Sequence, residues 1–288
     1  MTQPPDCVPF SPIETIAIVG VGLIGGSLAA AAKAKRLARV VIGVGRNSQR
    51  LEQARQQGLI DEGTSDLGAA ASRADLMVFC TPVDRIANQV REAAPRCRPG
   101  TLITDAGSVK GTICQTVGAV PASGVAFVGS HPLAGSEKQG FEFADPRLFD
   151  GRVCVVTPQP DTCRDATLRT AAFWNALGMH VHEMSPEAHD QALAETSHLP
   201  HVVAAAMAAV LDPAHAGLTA TGFRDTTRIA GGDPDLWTAI LQANAPAVLA
   251  GLKKYEAELR AFHEALDAGD FGRLRELLAR AKTRRDLL

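Results

Sequence analysis

The chain has 288 residues, 29 basic and 31 acidic side chains, a formal charge of −2 and 46 % apolar content. That near-neutral balance excludes a nucleic-acid backbone or an anionic membrane as the main partner, and the apolar content excludes disorder. No apolar run reaches the roughly 18 residues a membrane-spanning helix needs, and the opening MTQPPDCVPF lacks the basic and apolar regions of a secretory signal.

In chain order, the first predicted element is a strand over Thr15–Gly20 (TIAIVG), short and continuously apolar like a strand buried on both faces. It runs into Gly20-Val21-Gly22-Leu23-Ile24-Gly25 and then a helix over Leu23–Lys35. Glycine suits a tight turn whose backbone must approach a pyrophosphate seated on a helix N-terminus. Gly20, Gly22, Leu23, Ile24 and Gly25 are therefore candidate cofactor contacts, and the strand–loop–helix setting supports a dinucleotide site. A second strand over Val40–Val44 ends in Gly45-Arg46-Asn47-Ser48, with no acid before Glu52. An acid at that place binds the ribose 2′-hydroxyl of NAD; Arg46 and Ser48 instead suit a 2′-phosphate, so NADP is favoured over NAD.

A helix over Ser48–Gln57, a strand over Asp75–Cys80 and a helix over Asp84–Ala94 follow. The turn at Thr81-Pro82 lies at a strand's carboxyl end, which makes both residues candidate cofactor contacts. The strand Thr101–Asp105 opens into Ala106–Lys110 and a helix over Val109–Val117, and the strand Ala126–Gly129 opens into Ser130–Glu137. Both polar segments fall at the carboxyl edge, where open α/β sheets bind ligands; Asp105 is assigned to the cofactor side. His131 can accept a proton at neutral pH, and a serine within reach can orient its ring. A strand over Val153–Val156, a helix near Asp161–Leu177 and a strand over His180–Met184 complete a doubly wound α/β domain, residues 1–184.

Ser185-Pro186-Glu187 is a helix start, and from there to Leu288 almost no β-type run occurs. Residues 185–288 are predicted to form an all-helical domain whose abundant alanines suit close packing against a second copy, hence a homodimer. Asp190, Ser197, His198 and His201 fall near one helical face, a polar wall for a substrate cleft, with a kink at Pro200. Buried histidines satisfied by carbonyls are the alternative there, and no closed ligand set for a metal is present. Arg224 and Arg228 share a face; a guanidinium fork binds a carboxylate in two places, so an acidic small molecule is implied, the alternative being a solvated face paired with Asp225 and Asp233. Trp237 suits either core or ligand stacking. The six scattered cysteines form no CxxC pair and fit a reducing cytoplasm.

The segments IAIVGVGLIGGSLA, TDAGSVK, GSHPLAGSEKQG, ETSHLPH and GFRDTTRIAGGDPDLW occur in this order from about Ile16 to Asn244. Together they resemble the prephenate/arogenate (cyclohexadienyl) dehydrogenase family of tyrosine biosynthesis. The resemblance implies a Rossmann-type domain, a helical dimerisation domain, and NAD(P)-dependent oxidative decarboxylation of prephenate and/or arogenate to 4-hydroxyphenylpyruvate or tyrosine. It implies His131 as catalytic, Ser108 as its hydrogen-bond partner, and Arg228 as the substrate-carboxylate ligand. Glu137, Asp190, His198, His201 and Trp237 match cleft positions. The missing acid after the second strand departs from the NAD-preferring pattern. No ACT-type or chorismate mutase segment is recognised, so feedback by tyrosine is expected at the active site. The alternatives are a β-hydroxyacid dehydrogenase or imine reductase, whose helical domain generally supplies a Lys or Asp, and a non-catalytic NAD(P)H sensor.

Overall fold

In a computed structural model, which describes residues 9–118, 120, 122–135 and 138–287, the apolar runs pair into one sheet. Its strands are β1 (Ile13–Val19), β2 (Ala38–Val44), β3 (Glu62–Thr64), β4 (Leu76–Phe79), β5 (Leu102–Asp105), β6 (Ala126–Pro132), β7 (Val153–Thr157) and β8 (His180–Glu183). They lie in the order β3-β2-β1-β4-β5-β6-β7-β8. Pairing is parallel from β3 to β6, antiparallel between β6 and β7, and parallel again between β7 and β8. Sequence reading missed β3. Glu-Gly-Thr at a sheet edge carries no apolar pattern to announce it.

Helices α1 (Leu23–Ala34), α2 (Ser48–Gln56), α3 (Leu67–Ala71), α4 (Val83–Ala93), α5 (Gly111–Val117) and α6 (Arg164–Ala176) cover the sheet. Successive β1 residues explain why both faces are needed: Ile16 and Ile18 enter one apolar cluster with Leu28, Phe149 and Trp174, while Ala17 and Val19 enter the other with Phe79, Ile86 and Val90. Burying each large apolar side chain stabilises the fold by about 1.5–3 kcal/mol. Sheet closure also leaves the carboxyl ends of β1, β4, β5 and β6 at one edge, and this edge carries the loops of interest.

The remaining chain is helical: α7 (Pro186–Leu193), α8 (Leu199–Ala209), α9 (Thr221–Thr227), α10 (Pro234–Ala243), α11 (Ala245–Asp267) and α12 (Phe271–Arg285). Ser185 caps α7 by accepting from the Ala188 N–H (3.1 Å), and Asp233 caps α10. Between α7 and α8 the chain takes one π-helical turn, Ala194–His198, in which the Leu199 N–H reaches back five residues to the Ala194 carbonyl. The predicted break near Pro200 is this turn. The imide nitrogen has no hydrogen to give, and the wide turn before it absorbs the mismatch. The two parts are joined by polar ties: Thr112 Oγ1 donates to the Ala243 carbonyl (2.9 Å), and Asp190 of α7 accepts from the Lys110 and Gly111 N–H groups at the start of α5 (2.7 and 2.8 Å). Among the described residues no helix is long and apolar enough to cross a membrane.

Candidate active site

The glycine loop is shaped by contacts that only glycine permits. Gly20 has φ +96°, and a Cβ there would lie 2.9 Å from the Cys80 backbone. A Cβ on Gly25 would lie 2.1 Å from the Gly20 carbonyl oxygen, so the start of α1 is pressed against the turn. Gly22, the N-cap of α1, makes no side-chain capping bond, and the space around its Cα is open. The first-turn N–H groups of α1, where Leu23 and Ile24 sit, thus meet the requirements of a dinucleotide pyrophosphate. Thr81 is half-buried and bonded to Gln89 (2.6 Å), and the exposed Pro82 starts α4 beside this loop. Arg46 and Ser48 are exposed after β2; Arg46 lines a hollow of about 400 Å³ with Val21, Gly45, Asn47, Arg50 and Leu51.

Two strands beyond β4, His131 stands half-buried near the end of β6. Its Nδ1 lies 2.9 Å from His189 Nε2, and His189 Nδ1 lies 2.8 Å from Asp190 Oδ1. His189 is fully buried. Behind His131, the wholly buried Lys110 ammonium donates to Asp105 and to the Ser130 carbonyl (2.9 Å). Burial holds the His131 imidazole well below the usual histidine range, and the nearby His189, Lys110 and His198 add to the shift in that order. Burial also lowers His189, opposed by its bond to Asp190. The pair is therefore neutral at physiological pH.

Two acids need a corrected placement. Asp105, assigned above to the cofactor, is entirely buried; its oxygens accept from the Gly107 N–H (2.9 Å), the Ser130 N–H (3.0 Å) and Lys110. Asp190, assigned to the cleft wall, is 7 % exposed and spends its carboxylate on the Lys110 and Gly111 N–H groups and on His189. Both acids are read from sequence as facing ligand because they lie in polar segments at the carboxyl edge or on the predicted cleft wall. Each is instead drawn inward by backbone donors, which a buried carboxylate needs. Ser108 is half-buried and forms no hydrogen bond to His131; the bond from His131 Nδ1 goes to His189. Glu137 lies outside the described residues.

A second group adjoins the first. His198 is fully buried, takes a hydrogen bond at Nδ1 from Asn244 Nδ2 (3.1 Å), and is held down to about 4, burial being the main cause. Its Nε2 is buried with no hydrogen-bond partner among the described residues, an orphan that calls for one. Trp237 meets His198 edge-on at 6.2 Å and stacks on His201 at 3.2 Å. Gly232 permits that stack, since a Cβ there would come within 2.6 Å of the indole nitrogen. Gln139, after β6, reaches Asp233 across the gap between the domains (2.7 Å). Arg228 is exposed, at the start of a 3₁₀ turn that packs on α8. The structure thus gathers His131, His189 and His198, joins His201 to Trp237, and leaves Arg228 at the surface. Sequence reading missed His189, Lys110 and Asn244. The one available signal for His189 was its place directly before Asp190. Among the described residues no cluster of metal-ligating side chains occurs.

Comparison with known proteins agrees with this layout. The family description "Prephenate dehydrogenase, nucleotide-binding domain" matches residues 28–183, and "Prephenate dehydrogenase, dimerization domain" matches residues 185–280. The chain belongs to the prephenate dehydrogenase family. A cyclohexadienyl dehydrogenase of Zymomonas mobilis is 34 % identical over 262 residues, 88 % of this chain and 89 % of the relative. A prephenate dehydrogenase of Bacillus subtilis is 32 % identical over 280 residues, covering 95 % and 76 %. Among solved structures, Aquifex aeolicus prephenate dehydrogenase with hydroxyphenyl propionate and NAD+ superposes with TM-score 0.85 at 29 % identity, covering 94 % of this chain and 97 % of that one. Synechocystis arogenate dehydrogenase superposes with TM-score 0.80 at 32 % identity, covering 94 % and 99 %. This member of the family is an NAD(P)-dependent dehydrogenase. A 3-hydroxyisobutyrate dehydrogenase at 17 % identity and TM-score 0.58 shares the fold alone, so the β-hydroxyacid alternative is not favoured.

Proposed function

We propose that the enzyme oxidatively decarboxylates prephenate and/or arogenate with His131 as its base. The observation that carries this reading is a neutral imidazole at the carboxyl edge of β6, its Nδ1 within hydrogen-bond reach of His189 Nε2. The substrate is a cyclohexadiene with a C4 hydroxyl and, across the ring, a C1 carboxylate. The bound dinucleotide supplies the hydride acceptor. His131 accepts the C4 hydroxyl proton; C4 becomes a carbonyl conjugated to C1, and loss of CO₂ makes the ring aromatic. Arg228 supplies the fork for a substrate carboxylate, and His198, His201 and Trp237 border the ring. Ser108, in the loop after β5, is assigned to the same catalytic site.

The cofactor is assigned as NADP in preference to NAD. The turn after β2 carries Arg46 and Ser48 where an acid would repel a 2′-phosphate, and Asn47 caps α2 by accepting from the Arg50 N–H (3.0 Å). The active unit is assigned as a homodimer built through the helical domain, and the compartment as the reducing cytoplasm, in line with the free Cys80, Cys97, Cys114, Cys154 and Cys163.

One assay tests the reading: follow reduced-cofactor absorbance with both substrates and both cofactors. His131→Asn should lower kcat by about 10²–10⁴-fold with a near-unchanged dissociation constant for cofactor, and Arg228→Ala should chiefly raise KM. Near-normal turnover in the His131 variant overturns the assignment of the base; a wild-type preference for NAD+ overturns the cofactor assignment.

A further inference from the structure

The sequence marks His189 only as the residue before Asp190, yet in the fold its Nε2 lies 2.9 Å from His131 Nδ1. Its own protonation follows from its surroundings. Asp190 accepts from two backbone N–H groups, Lys110 at Oδ1 (2.7 Å) and Gly111 at Oδ2 (2.8 Å), so both of its oxygens already face donors. His189 is assigned to donate its Nδ1 proton to Asp190 Oδ1 (2.8 Å), the oxygens of that side chain being the acceptors of the neighbouring bonds. A neutral imidazole that donates at Nδ1 presents a lone pair at Nε2, so His131 donates there from Nδ1. One tautomer of His131 remains, with Nε2 as the accepting atom.

We propose that His189 is a positioning residue for the oxidation: backed by Asp190, it sets the tautomer of His131 and takes up the charge that develops there. The inference rests on the assignment of His131 as base. As the hydroxyl O–H bond breaks and an N–H bond forms at His131 Nε2, the Nδ1 proton moves toward His189 Nε2, and positive charge shifts toward the Asp190 carboxylate. The hydride and its electron pair go to the oxidised dinucleotide, the established acceptor. The C1–carboxylate bond pair enters the ring as CO₂ leaves. The resulting phenolate oxygen recovers the proton from His131 Nε2, so the cycle releases no net proton.

The groups facing this pair are Lys110 and Asp105 from the β5 edge, His198 from the π-turn, Cys154 from β7, and Asp190 beside His189 itself. A charged His189, Lys110 and His198 oppose charge on His131, whereas neutral His189 takes the His131 Nδ1–H at its Nε2 lone pair, and Asp190 and Asp105 favour charge on His189. Removing the acceptor at Nδ1 therefore makes the His131 imidazolium harder to form. His189→Leu should lower kcat by about a hundredfold and move the acid limb of the kcat/KM profile to lower pH, with cofactor affinity unchanged. His189→Gln, whose amide oxygen can still accept from His131, should recover part of the rate and part of the acid-limb position. In a His131→Asn background, His189→Leu should have no further effect. The proposal is overturned if His189→Leu keeps near-normal kcat, if rate is lost with an unmoved acid limb in both variants, or if the two substitutions multiply. Full activity of His131→Asn alone would instead sink the assignment of the base.

Discussion

At the scale of single residues, the protein depends on a few atoms with no room to change. Gly25→Ala would place a methyl 2.1 Å from the Gly20 carbonyl oxygen, and the atom in the way is backbone. The loop must move, so NAD(P)H affinity measured by fluorescence should fall at least about tenfold, the equivalent of about 1.4 kcal/mol. Lys110→Met would strand the Asp105 carboxylate in a fully buried place. Breaking a buried pair on one side costs about 3–5 kcal/mol, which denaturant unfolding should read as a lower midpoint. His131 itself predicts a pH profile. As the proposed base it accepts in its neutral form, and its pKa lies well below 6.5, so the acid limb of kcat/KM should fall below that pH.

At the scale of elements, Asp190 does for α5 what a capping residue does, from a helix nearly eighty positions away. The close approach needs Gly111, where a Cβ would come within 2.8 Å of Asp190 Oδ2. Asp190→Asn would turn an amide group toward backbone N–H donors and leave at least one unsatisfied. We expect a loss of about 1–3 kcal/mol in denaturant unfolding, with the loosening concentrated at the α5–α7 contact and visible as faster amide exchange in α5. The π-turn before α8 has a similar part: it carries His198 and runs straight into Pro200, so the fully buried ring and the half-buried His201 come from one continuous segment. Regular helical spacing could not have foretold which way each ring faces, because the wide turn resets the register.

At the scale of the molecule, several histidines are held neutral, and this links stability to pH. The folded pKa of His198 is about 4 against 6.5 for the free side chain. Between those values the unfolded chain binds the extra proton and the folded chain does not, so stability rises with pH across the window and is lost on acidification. At about 1.4 kcal/mol per unit, His198 alone accounts for roughly 3 kcal/mol between pH 6.5 and 4, with His131 and His189 acting in the same direction. Thermal unfolding should give a lower Tm at pH 5 than at pH 7, and His198→Gln should flatten that dependence. The assigned dimer makes a separate prediction. Leu259 and Leu266 on α11 and Leu278 on α12 are each more than half exposed. Charging them, as in Leu259→Asp with Leu266→Asp, should shift sedimentation from dimer to monomer.

How much of this was legible beforehand differs by kind of residue. Strands such as Thr15–Val19 and Leu76–Phe79 announced themselves because both faces are buried and nearly every position is apolar. The edge strand Glu62–Thr64 did not, since a half-solvated three-residue strand has no pattern to read. The glycine loop was legible because its constraint is local: turn, close approach and helix start fall within six residues. The acids were not. Asp105 and Asp190 sit in segments read as facing ligand, and nothing local distinguishes a carboxylate facing a cleft from one bonded to backbone N–H groups behind it.

By itself the sequence determined the fold class, the glycine turn into the first helix, the helical second half and the family, all of which rest on contacts between near neighbours or on ordered motifs. Only the tertiary structure decided which polar groups work together. His131 meets His189 across 58 positions, and Asp190 meets Lys110 across 80. Those bonds form where burial leaves no water to compete, and burial is settled by how the sheet and the helical domain close on each other.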